Sequence, residues 1–320
     1  VDHEVTWWVT SVLFTLTYLG LALGRVPRLR IDRAGIALVG ATAMLITGML
    51  TFDEAVGRKS IDYNTLTLLF GMMVVIAFLR LSGFFERLTQ RMLRRIRSPR
   101  ELLLVTIGLS GVLSAFLIND IVCLTLTPLV LRLAKRLRFD PVPHLIGLAT
   151  AANIGSTGTV TGNPQNIYIG SHSGIPYSHF ALRLLPVAAI GLLLNFVTVA
   201  VVYRSRLARP GGDADPSATK QPARRPAHAW LERKSIAVTL VTVGLFFSGL
   251  PLELIALGGA AALLLGRVKP EKVYREIDWS LLVMFTSLFI VVYAFQVHVV
   301  SRLGIERWKW LLDRPVDLLS

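Results

Sequence analysis

The chain is poor in the residues that soluble catalysis relies on. One cysteine, Cys123, stands among 320 residues, which excludes a disulfide within the chain and any cysteine-rich metal site. Only 17% of the residues are charged, and acids are the scarcer sign, with 20 Asp and Glu against 34 Lys and Arg. There is no G-x-x-x-x-G-K-[ST] phosphate loop, and "HEVTW" near the N-terminus stops short of the H-E-x-x-H zinc signature. An intramembrane protease would need a catalytic Ser/His pair, two catalytic aspartates in spans or the same zinc signature. The chain is therefore read as no enzyme, with no catalytic residue and no cofactor. Nucleic acid is not expected as a partner either, because basic runs such as "RLTQRMLRRIRSPR" abut apolar runs and belong to no recognisable binding module. What the chain has is apolar length: 53% of its residues are hydrophobic and they come in blocks. The fold class that follows is an all-α polytopic membrane protein, with the lipid bilayer as its first partner.

Runs of about 20 apolar residues, enough to cross a hydrocarbon core of ~30 Å, place spans at 5–24, 31–50, 64–83, 180–203, 235–250, 252–268 and 279–298. Two stretches fit less simply. Residues 102–136 are apolar but carry Asn119 and Asp120 at their middle, and are read as a re-entrant hairpin. Residues 144–170 are read as one broken span. Of the 34 basic residues, 26 fall in the segments 25–33, 84–100, 132–138, 204–234 and 267–278. With the N-terminus outside and the hairpin returning to its own side, all five segments lie in the cytoplasm, as the positive-inside rule requires. The expected location is the plasma (inner) membrane, as a multi-pass integral protein.

Residues 204–234, rich in Pro, Gly, Ala and charge, read as a cytoplasmic linker between a first repeat, 1–203, and a partial second repeat, 235–320. "IALVGATAML" at 36–45 matches "IALGGAAALL" at 255–264 with an offset of 219, and "IDYNTLTLLF" at 61–70 matches "IDWSLLVMFT" at 277–286 with an offset of 216. The first repeat has five crossings, an odd number, so the second copy is inverted, the plan of a secondary transporter. The second copy stops after 279–298 and a basic amphipathic stretch, "SRLGIERWKWLLDR", before any hairpin or broken span. The sequence thus predicts an incomplete second repeat, a parent protein roughly 100 residues longer, and no transport by the 320 residues alone.

The most informative stretch is "NIGSTGTVTGNPQN", 153–166, with eight polar side chains, three glycines and a proline among fourteen residues flanked by apolar runs. Unwound backbone is tolerated at bilayer depth only where it lines a buried polar cavity. A helix broken there presents orphan carbonyls on one half and orphan amides on the other, so the half-helix dipoles offer both partial charges at one point. Gly155, Gly158 and Gly162 are expected to let the chain leave helical angles and to bring carbonyls close, and Pro164 to start the outgoing half-helix. Ser156, Thr157, Thr159, Asn163 and Asn166 offer neutral oxygens, which with Asn119 suit Na⁺, assigned to Asn119, Gly155 and Asn163, while half-helix amides suit an anion. The competing reading is a structural kink whose hydroxyls cap their own backbone. Asp120 either exchanges a proton or holds Na⁺, or caps the returning helix. Arg80 is expected to snorkel to the inner interface, and His144, His172 and His179 to be interfacial.

"GSTGTVTGNPQN" resembles the glycine-threonine and Gly-Asn-Pro loop of the ion transporter superfamily, which includes arsenite permeases, citrate permeases, NhaD-type antiporters and divalent anion/sodium symporters. "INDIVCLTLTPLV", 118–130, resembles the hairpin of the same families, with Asn119, Asp120 and Pro128 in place and Ile118 where a Ser is usual, which removes one hydroxyl. The resemblance implies a homodimer and elevator-type alternating access. It implies a secondary active transporter of a small anion, a carboxylate, sulfate or arsenite-like oxyanion, coupled to Na⁺ or H⁺. A sodium/proton antiporter of the same superfamily, an ion channel and an inactive membrane scaffold are the alternatives. The hairpin reading is tested by replacing Cys123 with Ser and labelling Ser98→Cys and Arg138→Cys: both react from one face of the membrane, and labelling from opposite faces contradicts the hairpin.

Overall fold

The computed structural model describes residues 3–24, 31–208, 229–266 and 268–302. Most of the expected linker, 209–228, and all but the start of the basic stretch after 300 lie outside the described residues. The described residues form helices and turns, with no strand among them. The chain divides into two compact units, one made of 1–66 with 278–320 and the other of 67–277. Five helical segments have the length and apolarity to cross a membrane: Glu4–Leu23, Tyr63–Leu81, Pro99–Phe116, Tyr177–Val202 and Trp279–Arg302. This is a polytopic all-α membrane protein.

The first unit packs α1 (His3–Leu23), α2 (Arg33–Ile46) and α15 (Trp279–His298), with the short α3 (Phe52–Val56) below them. Its core is Ala41, Met44, Met49, Leu50, Ile290 and Val291, against which Leu13 and Phe14 of α1 pack. Asp32 caps α2 through the Gly35 N–H at 2.9 Å. The helix ends at Thr47, whose hydroxyl turns back to the Ala43 carbonyl, and at Gly48 with φ 71°. Here α2 is 14 residues long, about 21 Å at 1.5 Å per residue, shorter than the span expected over 31–50.

In the second unit α12 (Ala229–Leu245) and α13 (Leu252–Leu264) pack against α4 (Tyr63–Leu81) from Thr67 onward. A methyl group on Gly71 would lie 2.7 Å from the Ala256 carbonyl carbon, so the α4 and α13 backbones touch. The linker was expected to run to 234, but α12 begins at Ala229, where Leu231, Glu232 and Ser235 are buried. Glu232 is fixed by an ion pair with Arg87, and Arg80 pairs with Glu276 at 3.1 Å instead of only snorkelling. The same unit holds α5 (Phe84–Arg95), α6 (Pro99–Phe116), α7 (Asn119–Arg136), α8 (Pro141–Ser156), α9 (Pro164–Ser173), α10 (Tyr177–Val202), α11 (Arg204–Ala208) and α14 (Pro270–Tyr274). The stretch expected as a hairpin is two 18-residue helices, α6 and α7, each about 27 Å long, meeting at Leu117 and Ile118.

Positions matched by sequence have matching local surroundings. Gly40 of α2 lies against Thr17 of α1, and Gly259 of α13, 219 residues on, lies against Thr242 of α12. Asp62 caps α4 through Asn64 N–H and Thr65 N–H at 3.1 and 3.2 Å, and Asp278, 216 residues on, caps α15 through Leu281 N–H at 3.0 Å. Ala37 and Ala256 are both fully buried.

The closest packing in the second unit is α6 on α8. Small residues permit it, Ser110, Gly111 and Ser114 on α6 facing Gly147, Ala151 and Gly155 on α8, since in lipid helix association rests on close backbone approach and hydrogen bonding. The Ser110 hydroxyl donates to the Leu148 carbonyl at 3.0 Å. At the crossing, a Cβ on Gly155 would overlap the Gly111 backbone, whereas one on Gly258 of α13 would meet nothing within 4 Å. Gly155→Ala should therefore cost at least about 2 kcal/mol, and Gly258→Ala should be neutral or stabilising by up to ~1 kcal/mol. Unfolding of both variants in detergent checks this; equal midpoints would contradict the packing.

Candidate functional site

The stretch 153–166 resolves into the end of α8 at Ser156, a non-helical passage with a 3-10 turn at Val160–Gly162, and α9 from Pro164. Pro164 sits in the first turn, where a missing N–H costs nothing, and the Asn163 side chain caps the helix by accepting the Asn166 N–H at 2.7 Å. The orphan carbonyls are met by two side-chain amides. Asn166 Nδ2 lies 3.2 Å from the Ser156 oxygen, 3.4 Å from that of Thr157 and 2.9 Å from that of Thr159. Asn163 Nδ2 donates to the Ser156 hydroxyl at 3.1 Å and approaches its carbonyl at 3.3 Å. The hydroxyls are engaged as well. Ser156 donates to Asn153 O at 2.8 Å, Thr157 to Ile154 O at 2.7 Å, and Thr159 to Ala115 O at the end of α6. Thr161 lies 3.0 Å from the Tyr177 hydroxyl, whose ring rests against Phe246 and Phe247.

Three features differ from the sequence reading. None of Gly155, Gly158 and Gly162 has a positive φ, so their role is close approach alone: Gly155 against Gly111, Gly158 against Leu185, and Gly162 against the Ser156 backbone. His144 is fully buried, its Nδ1 2.8 Å from Asp140 O and its Nε2 3.0 Å from Pro99 O, and it ties the first turns of α6 and α8 together, a bridging role the sequence did not reveal. Asn153, not singled out from the sequence, is the contact between hairpin and break: Asn119 Nδ2 donates to Asn153 Oδ1 at 3.0 Å. Its signal was present, an amide one helical turn before Thr157 at the head of the same polar stretch, but its partner lies 34 residues away.

The predicted residues therefore separate by exposure. Gly155, Ser156, Thr159, Gly162, Asn163 and Pro164 are buried, with Asn166 half-buried, and they hold the break together. Asp120 on the first turn of α7, Asn153 and Thr157 are exposed. Between these sets sits Asn119, 7% exposed, whose Oδ1 has no hydrogen-bond donor among the described residues; the Ser114 hydroxyl one turn before the tip is also buried without a partner among them. No group of three or more His, Cys, Asp or Glu able to hold a metal occurs among the described residues. A cation here would be held by amide, hydroxyl and carbonyl oxygens, which suits an alkali ion, and the N-termini of α7 and α9 supply the opposite polarity for an anion.

Comparison with known proteins agrees with this architecture. Over 206 residues the chain is 35% identical to the silicon efflux transporter LSI3 of Oryza sativa subsp. japonica, covering 64% of this chain and 42% of that protein. Over 210 residues it is 27% identical to the putative transporter arsB of Dictyostelium discoideum, covering 65% and 37%. Over 245 residues it is 30% identical to the inner membrane protein YbiR of Escherichia coli K12, covering 76% and 61%. The matched region spans less than two thirds of each of these relatives. The citrate transporter family profile (CitMHS) matches residues 6–308, nearly the whole sequence, and the chain belongs to that family.

Proposed function

We propose that the chain forms the first repeat and part of the second of a secondary active transporter that moves a small anion, a carboxylate, sulfate or arsenite-like oxyanion, coupled to Na⁺ or H⁺ by elevator-type alternating access. The observation that carries the reading is Asn119: a buried amide oxygen without a donor among the described residues, at the hairpin tip, on a side chain whose amide nitrogen donates to the broken helix. An orphan oxygen in a low-dielectric site is costly, and a bound cation offsets that cost. We assign the coupling Na⁺ to Asn119 Oδ1 with backbone oxygen from the Gly155 end of α8, and the anion to the N-terminal turns of α7 and α9. Asn163 bounds the same break from its far side, and holds the geometry through Ser156. The matched surroundings of Gly40 and Gly259, and of Asp62 and Asp278, support an internal repeat, which the odd number of expected crossings would invert, and two copies of the parent protein would form the homodimer. A second reading, sodium/proton antiport, rests on Asp120, an exposed carboxylate next to Asn119.

Binding and flux separate these readings. Na⁺ should raise the unfolding midpoint of the purified chain where K⁺ at equal ionic strength does not, and Asn119→Ala should remove that rise while the variant stays folded. In proteoliposomes the parent protein should show counterflow of one of citrate, sulfate or arsenite, and Asn119→Ala, Asp120→Asn and Asn163→Ala should each lower it at least about tenfold, ~1.4 kcal/mol. Wild-type flux in all three variants would reject the site, and proton-linked Na⁺ flux without any anion counterflow would establish the antiporter.

A further inference from the structure

We infer that the exposed basic face at the base of the hairpin is a docking surface for anionic phospholipid headgroups. The surface is built on one small core, in which Met92 of α5, Ile96, Leu102 of α6, and Leu133 and Ala134 of α7 pack together. That core holds three chain segments side by side, and cations flank it from each. Arg132, Lys135 and Arg136 occupy one face of the last two turns of α7 and are exposed, as is Arg138 just beyond them. Arg91, Arg97 and Arg100 are exposed on the α5 and α6 side. The neighbouring acids are committed elsewhere: Glu101 accepts the Arg97 N–H at 2.8 Å in the cap of α6, and Asp140 caps α8 through Val142 N–H at 2.9 Å and pairs with Arg206 at 3.3 Å.

Two further observations point to a ligand with a charged head and an apolar tail. Helix α7 ends in a Schellman arrangement, with Phe139 N–H on Ala134 O at 2.8 Å and Arg138 N–H on Lys135 O at 3.2 Å, and the left-handed position is filled by Arg138 at φ 58°. It is the only non-glycine residue with positive φ among the described residues, at a place where glycine would sit without strain. The apolar surface begins one to two turns from the cations: Leu104 and Val105 follow Arg100 with 54% and 37% exposure, and Leu124 lies two turns before Arg132 with 65%. A phosphate at the arginines with acyl chains along Leu104 and Leu124 satisfies both parts, which a soluble anion or an acidic protein segment does not. Fixed cations beside a membrane surface attract anionic lipid strongly enough for a few of them to set a preference.

The test uses the purified 320-residue chain, with zwitterionic phosphatidylcholine or phosphatidylglycerol added to the micelle. The readouts are the unfolding midpoint and the lipid retained in native mass spectra. Phosphatidylglycerol should raise the midpoint and be retained, phosphatidylcholine should do neither, and glycerol 3-phosphate alone should have no effect. The triple variant Arg132→Gln/Lys135→Gln/Arg136→Gln should weaken phosphatidylglycerol binding at least about tenfold. Lys269→Gln/Lys272→Gln/Arg275→Gln, which removes three exposed cations from another basic loop, should leave it intact. If the first triple variant does not fold, Arg91→Gln/Arg100→Gln should show the same loss. Equal loss in both triple variants would reduce the effect to overall charge and overturn the inference, as would equal stabilisation by phosphatidylcholine or a full response to glycerol 3-phosphate.

Discussion

The hairpin-bearing unit depends on meeting, from within the protein, the peptide groups that a broken helix releases. Stopping α8 at Ser156 and restarting at Pro164 leaves carbonyls at Ser156, Thr157 and Thr159 without helical donors. In hydrocarbon each unsatisfied group would cost several kcal/mol. One side chain, Asn166, reaches all three carbonyls, and Asn163 both caps the outgoing helix and returns to Ser156. The amide is the right chemistry for this, since it donates and accepts at once without carrying a charge that lipid would penalise.

That solution constrains the packing around it. The loop lies flat only because Gly162 lets it pass over the Ser156 backbone, and α8 reaches α6 only because Gly155 meets Gly111. Thr159 then reaches across to Ala115, and Asn119 across to Asn153, so the tip of the hairpin and the start of the break are joined by a hydroxyl and an amide. At the opposite ends of the same helices, His144 bridges the first turns of α6 and α8. The two helices are thus held at both ends and pressed together between, which leaves the Asn119 oxygen at the tip without a donor among the described residues. In the transporter proposed here, the ion takes the place of that missing donor.

Much of this was legible in the residue order because the signals are local. Helix existence followed from apolar length, the restart from Asn163 and Pro164, and the hairpin tip from two polar residues in an apolar run. Helix ends were less legible: α2 stops at Gly48 although the apolar run continues through Met49 and Leu50, which fold back into the core of the first unit. The glycines of the break were recognised as places of close backbone approach, but their partners were not, since a contact between Gly155 and Gly111 is a fact of how α6 crosses α8. The bridging role of His144 was hidden for the same cause, since it rests on the carbonyl of Pro99, 45 residues earlier. Which of the many hydroxyls and amides satisfy the backbone, and which face outward, depends on such distant partners.

The central claim is that hairpin tip and broken helix form one polar unit through Asn119 and Asn153. It is tested most directly by a double-mutant cycle of Asn119→Ala and Asn153→Ala, measured as unfolding free energy of the purified chain. The account predicts a coupling of about 1 kcal/mol, because the second substitution costs less once the first has removed the shared hydrogen bond. Additive losses, with a coupling below roughly 0.3 kcal/mol, would show that the two elements are merely adjacent and would contradict it.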